Sequence, residues 1–378
     1  MVLESLLAKG FRNLKGNDCK RELFIELCNG VNILQGGNAQ GKTNFIEAVY
    51  FCATARSHRT NTHKELIGFD SDSAFLQAKV ASKAIENPEA PIYHNRIDVL
   101  LKQSGKGIAV NGLQIDKLGD LFGMLYCVIF SPEDLSLIKS GPGERRRFMD
   151  MELCQISKVY YHELKQYYKI LKQRNSLLKS LQKGRSANEL DDILFAWDKQ
   201  LADAGIKIFG YRKEYVEKIS AISGGLHKSL AGGEVFSAVY KPSANPGDFL
   251  ERLSKTREKD IFYGATSLGI HKDDITFYVN GLDSRIYSSQ GQQRTAALSL
   301  KLAEVKIIEE EKNEPPVLLL DDVMSELDKH RQKSLLDTIK GIQTIISCTG
   351  VEDILYSKIK GRQDTKLFTV EKGQIFPA

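Results

Sequence analysis

Two periodicities divide this chain. Up to about residue 130, short apolar runs are cut by turn residues. Phe24-Ile25-Glu26-Leu27 and Val31-Asn32-Ile33-Leu34 are separated by Asn29-Gly30 and followed by Gly36-Gly37, which predicts strands joined by turns. Ile108 to Ile115 carries Asn111-Gly112 at its centre, a hairpin step because both residues tolerate positive φ. Thr276 to Gly281 repeats that chemistry near the other end. From Met149 the period changes. Apolar or aromatic residues recur at Leu153, Ile156, Tyr160, Leu164, Tyr167 and Leu171, the spacing of a helix. After a polar break at Lys183-Gly184-Arg185-Ser186, a second series runs through Leu190, Leu194, Trp197, Leu201, Ala204, Ile208, Tyr211 and Tyr215 in alternating steps of four and three. That is a heptad seam, and two such helices predict an antiparallel hairpin. The pattern fits both a projecting arm and an ordinary amphipathic pair packed on the rest of the chain. Residues 220–268, with their Gly-Gly pairs and Pro242 and Pro246, are expected to be loops and short elements. Lys165, Lys169, Lys172 and Arg174 are expected on the solvated face of the first helix.

Length and composition narrow the classes without choosing among them. A chain of 378 residues allows two or three domains. No apolar run reaches the ~18 residues of a membrane span, and the start lacks a basic patch leading into an apolar stretch. A cytoplasmic protein is expected. The six cysteines form no CxxC pair and the seven histidines no ligand cluster, so reduced thiols and no zinc site are expected. A net charge of +5 permits nucleic-acid binding but does not demonstrate it.

Three motifs carry chemistry. Gly36-Gly37-Asn38-Ala39-Gln40-Gly41-Lys42-Thr43 has the GxxxxGK[ST] form of a Walker A loop, between an apolar strand and the helix-like run 44–53. Its glycines let backbone N–H groups wrap phosphates, Lys42 would sit on the β- and γ-phosphates, and the Thr43 hydroxyl would ligate Mg²⁺. The alternative is a simple Gly-rich turn. Val317-Leu318-Leu319-Leu320-Asp321-Asp322 reads as a buried parallel strand ending in two carboxylates. Asp321 would hold Mg²⁺, and Asp322 would polarise the attacking water, or else serve only as a helix-start carboxylate. Ser289-Gln290-Gly291-Gln292-Gln293 opens a helix with an apolar face through Ala296, Leu300, Ala303 and Ile307. A hydroxyl and free N–H groups at such a start suit an anion, although a plain Ser N-cap has the same look. Ser325-Glu326-Leu327-Asp328 reads as a capping box with Ser325 as N-cap, and equally as a D-loop lining a partner's site.

Together these residues resemble the ABC-type ATPase heads of the SMC family, and within it the recombination-repair branch. Phe11-Arg12-Asn13-Leu14, Phe130 to Leu135, and Gly141 to Asp150 carry the likeness further. The resemblance implies an α/β fold: a P-loop core with an antiparallel β subdomain, assembled from residues 1–130 and 269–378. Residues 131–268 would form an inserted helical domain with a short coiled-coil-like arm. It implies a nucleotide contact from Arg12. It also implies a homodimer sandwiching two ATP molecules, each capped in trans by the partner's Ser289, Gln290, Gly291 and Gln292, with Ser325 and Asp328 in the D-loop. Members of that branch bind single- and double-stranded DNA at gaps and junctions, hydrolyse ATP slowly in a DNA-dependent switch, and act with RecR and RecO to place RecA. The resemblance therefore implies recombinational repair, replication-fork maintenance and association with the nucleoid.

Two departures stand out. Asp322 occupies a position where most relatives of this class carry Glu, and its shorter reach implies slow turnover. Where transporter ATPases carry a Q-loop Gln and a switch His, this chain has Glu133 and Asp134, then Ser347-Cys348-Thr349, with Thr349 as the expected switch residue. Arg145, Arg146 and Arg147 form the densest basic run, suited either to DNA phosphates or to pairing with Glu144 and Asp150. Two alternatives remain: an ATP-gated scaffold that never hydrolyses, and the ATPase subunit of a repair nuclease complex.

Overall fold

The computed structural model describes residues 1–16, 22–83, 92–183, 187–350 and 364–378, with no side chain described for Lys83 or for residues 187–191. Gly184, Arg185 and Ser186 of the polar break, and the side chain of Leu190 in the seam, lie outside that description. The chain forms two compact units, 1–135 with 229–233 and 297–378, and 136–228 with 234–296.

The first unit begins with β1 (Val2–Lys9), β2 (Glu22–Glu26) and β3 (Val31–Gln35), then α1 (Lys42–Thr54). β4 (Ser73–Lys83), β5 (Ile92–Lys102), β6 (Gly105–Val110), β7 (Leu113–Gln114) and β8 (Cys127–Phe130) follow. An antiparallel sheet has the order β2-β1-β4-β5-β6-β7. The turn at Asn111-Gly112 has φ of 52° and 83°, the left-handed geometry that its sequence predicts.

The second unit contains α2 (Leu135–Lys139), α3 (Pro142–Ile156), α4 (Lys158–Gln182) and α5 (Ala187–Leu230), with the two ends of this set reaching into the first unit. β9 (Phe236–Lys241), α6 (Phe249–Lys255), α7 (Arg257–Tyr263), β10 (Asp274–Val279), β11 (Leu282–Asp283) and α8 (Ser284–Tyr287) complete it. Ser157 ends α3 and N-caps α4, its side chain accepting from Tyr160 N, so the series from Met149 is two helices and not one. α5 continues through Gly224-Gly225, where loops were expected, to Leu230. The seam is real but wide. Leu194, Leu201, Ala204, Ile208 and Tyr215 are buried, and so are Asp198, Phe209, Arg212, Val216 and Ile219. A bare two-stranded coil buries a narrower stripe. The extra face meets the returning segment: Arg174 of α4 binds Asp198 of α5 at 2.7 Å and Asp260 of α7 at 2.8 Å. Arg174 is thus fully buried and does not belong to the solvated face, whereas Lys165, Lys169 and Lys172 are exposed. Residues 274–296 group with this unit and not with the first, because β10 pairs with β9 along its whole length and Arg145 of α3 holds Asp274.

α9 (Gln290–Lys312) opens in the second unit and continues in the first, followed by β12 (Val317–Asp321), α10 (Lys329–Thr338), β13 (Thr344–Cys348), β14 (Thr365–Glu371) and β15 (Gln374–Pro377). Ala296, Leu300, Ala303 and Ile307 are all buried, and so are Ala297, Leu298 and Val305 on the other sides of α9, with a buried Lys301–Glu304 pair. The second sheet of the first unit has the order β15-β14-β3-β13-β12-β8, with β14, β3, β13, β12 and β8 parallel. Every residue of β12 and β13 is buried, as strands covered on both faces require. The pairing sets the site: β13 lies between β3 and β12, so the loops leaving all three share one edge. Among the described residues no helix is long and apolar enough to cross a membrane.

Candidate nucleotide site

The loop after β3 is held from several directions. Gly36 could not carry a side chain, since a Cβ there would lie 2.3 Å from Val370 O. Ala39 and Gly41 have φ of 61° and 117°, which turns the loop into the start of α1. The β14–β15 turn braces it: Gly373 N donates to Gln40 O and Lys372 N to Gln40 Oε1, at 2.8 and 2.6 Å. Gly373 is packed so closely against Asn13 that a Cβ would fall 1.8 Å from its carbonyl. Lys42 is buried, with Nζ 2.6 and 2.8 Å from the carbonyls of Gly36 and Gly37. Those neutral acceptors hold the ammonium at the loop without cancelling its charge, which suits an incoming polyanion.

Thr43 and Asp321 meet across the edge of the parallel sheet, Thr43 Oγ1 donating to Asp321 Oδ1 at 3.0 Å. Ser347, the penultimate residue of β13, donates to the same oxygen at 2.7 Å and accepts from Asp322 N at 2.9 Å. Burial raises the Asp321 pKa above the ordinary carboxylate range, and the hydrogen bonds from Ser347 and Thr43 only partly offset it. A hydroxyl beside a desolvated carboxylate is an oxygen pair that fits Mg²⁺. Among the described residues no group of three or more His, Cys, Asp and Glu could hold a metal, so a cation here would need phosphate oxygens or water as further ligands.

Asp322 adopts φ +53°, a left-handed conformation that Asp tolerates better than most residues. Ser347 fixes its N–H, and Ser325 Oγ donates to its carbonyl at 2.8 Å. Its Oδ1 is buried and lacks a hydrogen-bond partner among the described residues. A rigid backbone with an unsatisfied carboxylate oxygen is what a water-orienting group needs.

Several expectations change here. Arg12 lies beside α1, but its Nε and Nη2 bind the two oxygens of buried Glu47 at 2.9 Å each and Nη1 binds Glu65 O. Glu47 is strongly desolvated, yet Arg12 and Ser57 hold its pKa below the usual value. Arg12 therefore anchors the helix that follows the Walker A loop, its guanidinium nitrogens already engaged by Glu47 and the Glu65 carbonyl. Ser325 is not the N-cap of α10. That cap is Asp328, which accepts from Arg331 N at 2.9 Å, because Ser325 sits one turn earlier in a 3₁₀ segment. Thr349 is exposed beyond β13, and Ser347 is the residue of that strand that touches the carboxylates. A polar residue near the end of a mostly apolar strand was the available signal for Ser347.

In the second unit, Ser289 and Gln290 are exposed and Gly291 and Gln292 half-buried. Ser289 and Gln292 form a reciprocal capping box: Ser289 N donates to Gln292 Oε1 at 2.9 Å, and Gln292 N donates to Ser289 Oγ at 3.2 Å. Arg145 does not suit DNA, because it is buried and bidentate to Asp274 at 2.6 and 3.0 Å. Arg146 Nη1 donates to Asp273 O at 2.7 Å, and Arg146 and Arg147 remain half-buried.

Comparison with known proteins decides the family. Residues 2–362 match the RecF/RecN/SMC N-terminal domain. The DNA replication and repair protein RecF of Lachnoclostridium phytofermentans is 44% identical over 377 residues, 99% of this chain and 100% of the relative. The chain belongs to the RecF family. RecF of Clostridium perfringens is likewise 44% identical over 382 residues, covering 99% of each chain. The recombination mediator protein RecF of the RecFOR pathway, solved with ATP, superposes with a TM-score of 0.88 at 36% identity, covering 100% of this chain and 97% of that one. An Smc head bound to the C-terminal winged-helix domain of ScpA has a TM-score of 0.57 at 16% identity, covering 100% and 97%, a likeness of fold. The RecF-family chain thus has an SMC-type head fold, and its relatives are proteins of DNA replication and repair.

Proposed function

We propose that this RecF-family chain is an ATP-switched DNA clamp. The observation that carries the reading is the convergence of Lys42, Thr43, Asp321 and Asp322 on one edge of the parallel sheet, with Asp322 Oδ1 lacking a partner among the described residues. Gly36 to Thr43 would wrap the phosphates through backbone N–H groups, and Lys42 would exchange its carbonyls for phosphate oxygens. Thr43 and Asp321 would hold Mg²⁺, which supplies charge neutralisation at the phosphates when bound. A cavity of about 1070 Å³ lined in part by Arg12, Asn13, Asn44 and Arg59 has room for the nucleoside. Asp322 orients the attacking water, and its short side chain makes turnover slow.

Two chains would dimerise around two nucleotides, with Ser289 to Gln292 of each capping the other's γ-phosphate and the Ser325 to Asp328 segment lining the partner's site. Hydrolysis then removes part of the interface and opens the clamp. The DNA ligand would be a gap or a single-strand/double-strand junction. RecR would be the direct partner, with RecO and RecA acting downstream. Arg146 and Arg147, half-buried, are retained as candidate phosphate contacts.

The test is fluorescence anisotropy of a gapped duplex at fixed salt, with ATP and then ADP, for wild type and Ser289→Arg. Tight binding with ATP alone, lost in the variant, is the expected result. Binding that ignores both nucleotide and mutation would sink the clamp and favour an ATP-gated scaffold.

A further inference from the structure

The signature segment is tied to the long helix of its own unit. His227 lies in the last turn of α5, fully buried, its ring tilted against Phe236 at 5.2 Å between centroids. Its Nε2 is 3.3 Å from Glu234 Oε2. The other oxygen of that carboxylate, Oε1, accepts from Gln292 Nε2 at 2.7 Å. Gln292 Oε1 in turn accepts from Ser289 N. A continuous polar path therefore runs from α5 through Glu234 and Gln292 to the first residue of the signature, within one unit.

The chemistry of this path is directional. An ionised carboxylate only accepts hydrogen bonds. Glu234 therefore selects the amide rotamer of Gln292 that turns NH₂ toward itself and the oxygen toward Ser289 N–H. The Ser289 N–H favours the same orientation, and the carboxylate adds a second, charge-assisted bond that holds the amide against its flip. The flipped amide would set NH₂ against the Ser289 N–H, donor against donor, and open half of the capping box. The same carboxylate requires a proton on His227 Nε2, which fixes the ring as a donor.

We propose that Glu234 is a positioning residue for the signature motif. Through Gln292 it holds Ser289 at the start of α9, and through His227 it links that presentation to the end of α5. The inference rests on reading Ser289 to Gln292 as the cap on the partner's nucleotide. In that setting a loosened Ser289 affects dimer formation and leaves ATP binding by the single chain untouched.

The experiment compares Glu234→Ala, Glu234→Gln, Gln292→Ala and the Glu234→Ala/Gln292→Ala double variant, with Ser289→Arg as reference. A fluorescent ATP analogue reads monomer affinity, sedimentation velocity reads ATP-dependent dimerisation, and a melt reads Tm. Glu234→Ala is expected to weaken dimerisation about tenfold, roughly the loss of one charge-assisted hydrogen bond, with monomer affinity and Tm close to wild type. Glu234→Gln keeps an acceptor oxygen and should retain most of the dimer. The double variant should be no worse than Gln292→Ala, since both act through one path. If Ser289→Arg abolishes the dimer while Glu234→Ala leaves it intact, the positioning role is overturned and the capping reading stands. If Ser289→Arg still dimerises, the capping reading falls and the inference with it. Equal losses in Glu234→Ala and Glu234→Gln that track a fall in Tm would also overturn it, as plain destabilisation.

Discussion

Arg174 and Lys42 are both cations with almost no exposure, 0% and 7%, yet the chain surrounds them differently. Arg174 meets Asp198 and Asp260 at 2.7 and 2.8 Å, and Arg212 in the same unit meets Asp150 and Asp273 at 2.7 and 2.9 Å. Lys42 meets two backbone carbonyls. A buried charge matched by carboxylates within the fold serves the fold. One given only neutral acceptors keeps its field for a ligand. The carboxylates of the first unit follow the same division. Glu47 is engaged by Arg12, whereas Asp321 receives hydroxyls and Asp322 keeps an oxygen without a partner among the described residues.

The strongest way to break this comparison is Arg174→Ala. Arg257 still reaches Asp198 at 2.8 Å, so the carboxylate left uncompensated is chiefly Asp260. A loss of about 3–5 kcal/mol is expected in urea unfolding. A change below about 1 kcal/mol would mean that the charge is not what holds these helices together.

Lys42→Ala should give the opposite pattern. ATP affinity is expected to fall at least about 100-fold, close to 3 kcal/mol, because a charge-assisted contact to phosphate disappears. Stability without nucleotide should move by less than about 1 kcal/mol, since only bonds to neutral carbonyls are removed. Titration of a fluorescent ATP analogue beside urea unfolding separates the two effects. Unfolding by Lys42→Ala would place it with the structural cations.

What the sequence made legible follows the range of the interactions. The Walker A loop could be read because its glycines, Lys42 and Thr43 act within eight residues and sit between a strand and a helix whose patterns are local. β12 could be read because a run of buried apolar residues ending in two carboxylates is also local. Ser347 could not, since its contact with Asp321 depends on β13 lying between β3 and β12. For the same reason Arg145 read as a DNA contact or a partner of Glu144 and Asp150, and Arg174 as surface charge. Their carboxylate partners Asp274 and Asp260 lie 129 and 86 residues away, and nothing in the helical period announces them. The grouping of residues 274–296 with the second unit was hidden likewise, because it depends on the pairing of β10 with β9.

Ser347→Ala probes that long-range element. It removes a donor to Asp321 and leaves the Asp322 N–H without its acceptor. A loss of about 1–2 kcal/mol in unfolding is expected, with turnover falling about tenfold because Asp322 is no longer held. Steady-state hydrolysis at saturating ATP checks it. Unchanged turnover would remove Ser347 from the site.

The smallest effect is also the most discriminating. Burial raises the folded-state pKa of Asp321, so this group stabilises the fold fully below its unfolded pKa, and that stability is lost as pH rises through the folded value. Above the unfolded carboxylate pKa this group is therefore a net cost to the fold. Asn at this position keeps an oxygen to accept from Thr43 and Ser347 but carries no charge. Asp321→Asn should raise Tm at pH 7 by about 1–3 °C, and the gain should vanish in acid, below the unfolded carboxylate pKa. With Mg²⁺ and ATP the order should reverse, because only the wild-type carboxylate can hold the cation and gain ligand stabilisation. Melts at two pH values, with and without nucleotide, test both signs. A variant less stable than wild type at pH 7 without nucleotide would mean that Asp321 belongs with Glu47 and the structural carboxylates, and the line drawn between the two kinds of buried charge would have to move.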